Sequence, residues 1–149
     1  MQRGGLWVLA QGGLVLGVVV LGAECHTSSL DARLHVAGLV FLSASALFGL
    51  AGICALGRSL TPFPKPAARA KLVEHGIYGI IRHPLYVSVV SGAVGWSLFR
   101  QSWPAAALSA ILAVFFDAKA RREERWLRQR YEAYAHYERR VRRFLPWVY

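Results

Sequence analysis

Two short stretches of this chain hold the residue types that could do chemistry together. The first is Leu72-Val73-Glu74-His75-Gly76-Ile77-Tyr78-Gly79-Ile80-Ile81-Arg82-His83-Pro84-Leu85-Tyr86. Its glycines punctuate a turn, and two tyrosines, an arginine and a histidine gather around Pro84. Proline suits the first position of a helix, where a missing N–H costs nothing. A helix opening there offers free N–H groups and the positive end of its dipole, a seat for a carboxylate or phosphate. The second stretch is Lys119 followed by Glu123-Glu124. Lys119 and Glu123 are four residues apart and share a helix face. Such a set can bind and orient a small charged molecule. A plainer reading makes Arg82 and His83 snorkelling residues, the tyrosines interfacial belt residues, and Glu123 the partner of Lys119.

The elements that must position these residues are set by a bilayer. The chain has 149 residues, 55% of them hydrophobic, with 18 Lys+Arg against 8 Asp+Glu and a net charge of +10. That length suits one domain. The charges collect in 57–84 and after Asp117. Such segregation is expected where a charge at mid-membrane costs about 2.5–3.5 kcal/mol. Four apolar segments result: Leu6–Ala23, interrupted only by Gln11; Leu34–Leu56, without a charge and rich in Gly, Ala and Ser; Leu85–Phe99; and Trp103–Phe116. About 20 helical residues cross a core of roughly 30 Å. The first two segments span unaided, and the shorter last two read as a hairpin extended by their flanks. Leu6–Ala23 reads as a retained helix rather than a signal peptide, being long for one and followed at once by a second span. Small residues in the second segment let helices approach closely in lipid.

Thr61-Pro62-Phe63-Pro64-Lys65-Pro66 cannot be regular helix and reads as an extended, polyproline-like segment. After Asp117, Leu127, Tyr131, Tyr134, Tyr137, Val141 and Phe144 recur at steps of three and four, which predicts one amphipathic helix continuing out of the fourth span. With four spans, sixteen of the eighteen basic residues fall on one face and only Arg33 and Arg100 on the other. The positive-inside rule then places that face, both termini and the chemistry in the cytoplasm.

The expected fold is therefore all-α: a polytopic membrane protein of about four transmembrane helices plus a C-terminal amphipathic cytoplasmic helix. The single domain 1–149 divides into two spans (1–58), a cytoplasmic loop (59–84), a transmembrane hairpin (85–116) and a cytoplasmic helix and tail (117–149). Cys25 and Cys54 make no disulfide framework, and the five histidines are scattered, so no metal site is expected. A nucleic-acid role is set aside because topology accounts for the basic charge and no recognition motif is present. Anionic membrane lipids are natural partners for the basic tail.

The pattern L-V-x-x-G-x-Y-x-x-x-R-H-P-x-Y, two apolar segments, E-E-x-x-L and a tyrosine-rich tail ending V-x-x-F-L-P resembles the isoprenylcysteine carboxyl methyltransferase family. That family belongs to a wider group of small membrane methyltransferases that includes phospholipid N-methyltransferases. The resemblance covers roughly residues 60–146. It implies S-adenosylmethionine binding at the cytoplasmic ends of the last two spans and the following helix. Carried over by position, Leu72, Val73, Tyr78, His83, Pro84, Leu85, Tyr86 and Glu123 become cofactor contacts, and Arg82, Lys119 and Glu124 catalytic residues. Lys119 stands where eukaryotic relatives carry a substrate-binding arginine, and lysine cannot make the bidentate fork with a carboxylate.

The expectation is a membrane methyltransferase of the bacterial inner membrane, acting on a hydrophobic or lipid-anchored acceptor. A carboxylate of a prenylated cysteine comes first and a phospholipid amine second. A membrane reductase and a lipid-holding scaffold are the non-methylating alternatives. A carboxylate is already nucleophilic, so alignment and desolvation suffice for it. An amine would first lose a proton to His83, Glu123 or Glu124.

Overall fold

A computed structural model describes residues 5–27, 31–57 and 72–145. Five α-helices form: α1 (Gly5–Glu24), α2 (Ala32–Leu56), α3 (Pro84–Arg100), α4 (Trp103–Arg130) and α5 (Tyr134–Arg140), with a 3-10 turn at Gly76–Gly79. The proline-rich segment Thr61–Pro66 lies outside the described residues. So do most of the basic residues between 57 and 84. Helices α1, α2 and α4 are each long and apolar enough to cross a bilayer. Helix α3 has 17 residues, about 25 Å, and runs between its neighbours from His83 to Arg100. The chain is an all-α integral membrane protein.

Helix ends follow local chemistry. Asp31 caps α2 by accepting from the Arg33 N–H at 2.8 Å, and Ser102 caps α4 by accepting from Ala105. These bonds satisfy otherwise orphaned donors. Pro84 opens α3 as the sequence predicts. Gln101 closes α3 in the left-handed region at φ 52, where a non-glycine residue is strained by roughly 1–2 kcal/mol. Its side chain makes up for this. The Gln101 amide donates to Asp31 O at 3.0 Å, and its oxygen accepts from Asp31 N at 3.1 Å. Thr27 donates to the Gln101 carbonyl at 3.0 Å. The two turns at this end of the molecule are thereby stapled together.

Helix α3 sits at the centre, touching α1, α2 and α4. Its contact with α2 is antiparallel and made through small residues. Gly52 meets Leu85, Gly49 meets Ser88, Gly92 meets Ser45, Gly95 meets Leu42, and Gly38 meets Phe99. Every step of three or four along one helix is matched along the other, so the register is continuous. A Cβ at Gly38 would lie 2.5 Å from the Phe99 backbone nitrogen, and one at Gly95 would lie 2.8 Å from Leu42 N. Backbone cannot yield as a side chain does. Gly38→Val is therefore expected to cost about 1–3 kcal/mol or more by overpacking, read as a lowered melting temperature in detergent. Gly12→Val, at a helix position with open space around it, should leave the melt unchanged.

Helix α1 packs on α3 and α4. Trp96 donates to Val19 O at 3.2 Å, Arg100 to Gly22 O at 3.0 Å, and Ser102 to Leu21 O at 3.0 Å. The arginine bond occupies a carbonyl in the last turn of α1, and Leu21 O takes the serine hydroxyl in addition to the Cys25 N–H at 2.9 Å. Val18, Ala93, Ala105, Leu112 and Phe116 form the buried core of this half. The helices thus alternate in direction. The end of α2, the start of α3 and the polar half of α4 all emerge on one side, facing away from the Gln101 staple.

The tail differs from the single helix that the stripe predicts. Helix α4 ends at Arg130, Tyr131 is extended at φ −124 and ψ 113, and α5 starts afresh at Tyr134. Arg128 forks the Glu138 carboxylate at 2.7–3.0 Å, tying α5 back against α4. Tyr134, Tyr137 and Val141 then bury themselves against Leu72, Leu127 and Tyr131. The stripe does form one apolar surface, but a folded-back one. Beyond α5 the chain lies alongside the loop before α3. Arg82 N donates to Arg142 O at 2.9 Å and His83 N to Arg143 O at 3.2 Å, a parallel bridge at Ile81 and Arg142.

Candidate active site

The loop 78–86 and the paired glutamates of α4 meet where α3 begins. Glu124 is the centre of the junction, and its side chain is 1% exposed. Arg143 forks it, Nε to Oε1 at 2.9 Å and Nη2 to Oε2 at 2.7 Å. Arg82 Nη1 approaches Oε1 at 3.2 Å, and His83 Nε2 lies 3.2 Å from the same oxygen. Both carboxylate oxygens are therefore engaged by groups from the loop and from the tail. Charge-assisted and bidentate bonds of this kind are the strong ones. Arg143 also reaches Asp117 at 3.1 Å, so a single guanidinium joins two positions of α4 to the segment after α5.

Glu123, its neighbour in sequence, points elsewhere, because successive helix residues diverge by about 100°. It accepts from the Tyr86 hydroxyl at 2.6 Å, and its carboxylate lies 3.9 Å from His83 Nδ1. Its side chain is 24% exposed, against 1% for Glu124. Around it stand aromatic rings. His83 and Tyr86 stack at 5.0 Å with planes 9° apart, Tyr86 tilts on Phe116 at 4.7 Å, and Phe144 from the tail approaches His83 at 5.8 Å.

Lys119 is buried at 2% exposure. It donates to the side chain of Gln11 on α1 and lies over the rings of Tyr86 at 5.3 Å and Phe116 at 5.6 Å. A desolvated ammonium gains from ring faces as well as from hydrogen bonds. Gln11, the sole strongly polar residue of the first apolar segment, thus has a reason to be there.

Tyr78 is buried, and its carbonyl accepts from the Tyr137 hydroxyl at 2.6 Å. Burial pushes the Tyr78, Tyr134 and Tyr137 hydroxyls well above the usual phenol range, so each remains a neutral donor at physiological pH. Arg82 is held by Glu124 and, at 3.5 Å, by Glu138. Its Nε is buried without a partner among the described residues.

The structure brings Tyr78, Arg82, His83, Pro84, Tyr86, Lys119, Glu123 and Glu124 into one neighbourhood. Leu72 belongs instead to the cluster of tail tyrosines, and the Leu85 side chain fills the space over Gly52 in the α2–α3 contact. Val73 is half-buried. Arg143, Gln11, Asp117 and Glu138 were not legible as participants. For Gln11 a signal existed, a lone amide in an apolar span. For Arg143 there was none among so many tail arginines. A cleft lined by Thr27, Asp31, Gln101, Ser102 and Trp103 lies at the opposite end of the bundle, away from this cluster.

This geometry can be set beside known proteins. A model of phospholipid methyltransferases matches residues 34–134, a stretch that contains every residue of the cluster except Gln11 and the tail's contributions. The chain belongs to the phospholipid methyltransferase family. Among curated relatives, it is similar to the cobalt-zinc-cadmium resistance protein CzcN of Cupriavidus metallidurans, 36% identical over 76 residues. That match covers 50% of this chain and 35% of the relative. It is also similar to the nickel-cobalt-cadmium resistance protein NccN of Alcaligenes xylosoxydans xylosoxydans, 27% identical over 149 residues, covering 97% of this chain and 65% of the relative. The chain spans between about a third and two thirds of the length of these two relatives. Among the described residues no group of three or more His, Cys, Asp or Glu is placed to hold a metal ion.

Proposed function

We propose that this chain is an S-adenosylmethionine-dependent methyltransferase whose acceptor is a lipid-like or prenylated molecule, with a carboxylate as the preferred methyl-accepting group. The observation that carries the reading is the split between the two glutamates. Glu124 is consumed by structure, while Glu123 is partly exposed and takes one hydrogen bond, from Tyr86, beside stacked rings where α3 begins. The residues present suit the cofactor. Its ammonium or ribose hydroxyls fit the Glu123 carboxylate, its adenine and sulfonium fit aromatic faces, and its carboxylate fits the unpartnered Nε of Arg82. When bound, the cofactor supplies an electrophilic methyl group.

The chain's own residues then bind, align and exclude water. Tyr86 fixes Glu123 through its hydroxyl, and His83 holds Tyr86 by stacking. The Glu124 junction fixes His83 and Arg82. Lys119, buried toward α1, offers a cation to an acceptor that arrives from lipid, and alignment of this kind lowers a barrier by several kcal/mol. Charged cofactor from water and apolar acceptor from the bilayer meet at the helix ends, which explains a membrane location. We further propose that this end faces the cytoplasm of the bacterial inner membrane, in keeping with the basic residues that follow Asp117.

A second reading is favoured by the family's description: methylation of a phospholipid amine. His83 and Glu123 would then take the amine proton, since Glu124 has no oxygen to spare. The names of the metal-resistance relatives supply no acceptor.

Calorimetry with S-adenosylmethionine in detergent tests the reading, with NADPH as the alternative ligand. Binding of the first is expected. Binding of neither leaves a scaffold, and binding of the second alone points to a reductase. Radiolabelled methyl transfer to prenylcysteine analogues against phosphatidylethanolamine, scored as base-labile ester, separates the acceptors. Lys119→Ala is expected to leave cofactor affinity unchanged and to slow turnover, by about 10²-fold if acceptor alignment is lost. A weakened cofactor Kd would move Lys119 into the cofactor pocket.

A further inference from the structure

Arg122 stands outside the ion-pair network of the site. Its guanidinium carbon lies 5.2 Å from the ring centroid of Trp126 on α4 and 5.9 Å from that of Trp7 on α1, so one exposed cation is bracketed by two indoles from two helices. Arg122 and Glu124 are two positions apart on α4 and face nearly opposite ways. Nearby acids are already engaged. Asp117 pairs with Arg121 and Arg143, Glu124 with Arg82 and Arg143, and Glu138 with Arg128. Among the described residues no carboxylate comes within ion-pair distance of Arg122, nor of Arg125 one turn further on the same face.

Its depth is as telling as its solitude. Arg122 lies six residues beyond Phe116, the last residue of the apolar run, about 9 Å along the helix. Tryptophans gather at the boundary between acyl chains and headgroups, and two of them flank this guanidinium. Cation–π attraction to two rings holds the guanidinium in place, and its N–H groups can fork an anion.

We propose that Arg122, held between Trp7 and Trp126 and assisted by Arg125, binds the phosphate of an anionic phospholipid in the adjoining leaflet at the α1–α4 seam. The occupant is anionic because the bracket offers net positive charge and no acceptor for a headgroup ammonium. It is a lipid because the bracket lies just beyond the apolar run of α4 and is rimmed by two tryptophans, the residue that marks headgroup level. The site is separate from the methyl-transfer cluster and does not rest on that activity.

The full chain is reconstituted in phosphatidylcholine vesicles, and tryptophan quenching by brominated phosphatidylglycerol is compared with quenching by brominated phosphatidylcholine. Wild-type protein is expected to prefer phosphatidylglycerol, and Arg122→Gln to lower that preference about fivefold. Arg139→Gln, an exposed tail arginine, should leave it unchanged. Inorganic phosphate should not compete. No preference in the wild type, the same preference in Arg122→Gln, or full competition by inorganic phosphate overturns the proposal. Should Arg122→Gln fail to reconstitute, Arg125→Gln reads the same site and must also lower the preference.

Discussion

Glu124→Ala is expected to destabilise the protein more than any other single change at the site. Removing the carboxylate strands Arg82, Arg143 and His83 in a place where Glu124 itself was 1% exposed. Breaking a buried pair by deleting one partner costs roughly 3–5 kcal/mol. In a chain of this size that lowers the melting temperature by on the order of 10 °C. The loss is not local, because the same carboxylate joins the loop before α3, the polar half of α4 and the chain's last turns. Limited proteolysis should therefore cut near residues 131–145 sooner than in the wild type. Glu124→Gln keeps the volume and loses the charge, and should fall between. A melt of Glu124→Ala within a degree or two of wild type would show that the arginines find other partners and that the junction is ornamental.

Glu123→Ala is expected to do the reverse: to leave the melt nearly unchanged and to weaken S-adenosylmethionine binding at least tenfold. Its side chain is partly exposed and gives up one hydrogen bond, from Tyr86. A charge-assisted bond to an ammonium or hydroxyl is worth about 1.5–3 kcal/mol, which is tenfold or more in affinity. Tyr86→Phe keeps the stack on His83 and releases Glu123, and should give a smaller loss. Calorimetry in detergent reads all three proteins. An unchanged Kd for Glu123→Ala removes this residue from the cofactor's surroundings, however well the melt behaves. Two adjacent glutamates with opposite phenotypes are a stronger test than either alone.

Much of this arrangement was readable from residue types. Charge segregation marked the apolar segments, Pro84 marked where α3 begins, and Lys119 with Glu123-Glu124 marked the polar extension of α4. The small residues of Leu34–Leu56 announced close packing, and α2 uses them against α3. Other features were closed to sequence reasoning for physical reasons. The steps of three and four from Leu127 to Phe144 are satisfied equally by one helix and by two that fold on each other. Only the Arg128–Glu138 pair and the burial of Tyr134 and Tyr137 decide between them. The partition of labour between Glu123 and Glu124 depends on which way a helix faces, and that is fixed by a tail arginine among ten basic residues after Asp117. Gln101 gave no hint that it would hold a left-handed turn, because its compensation comes from Asp31, seventy residues away in sequence.

The pairing of residues 81–83 with 142–143 has a consequence for how the protein is made. The bundle of helices can enter the bilayer in order as it leaves the ribosome, but the wall formed by Arg143 and Phe144 follows only after α4 and α5. A nascent chain already anchored in lipid would still present Glu124 and His83 without that wall. The junction around Glu124 can acquire its final shape only once synthesis has passed these residues.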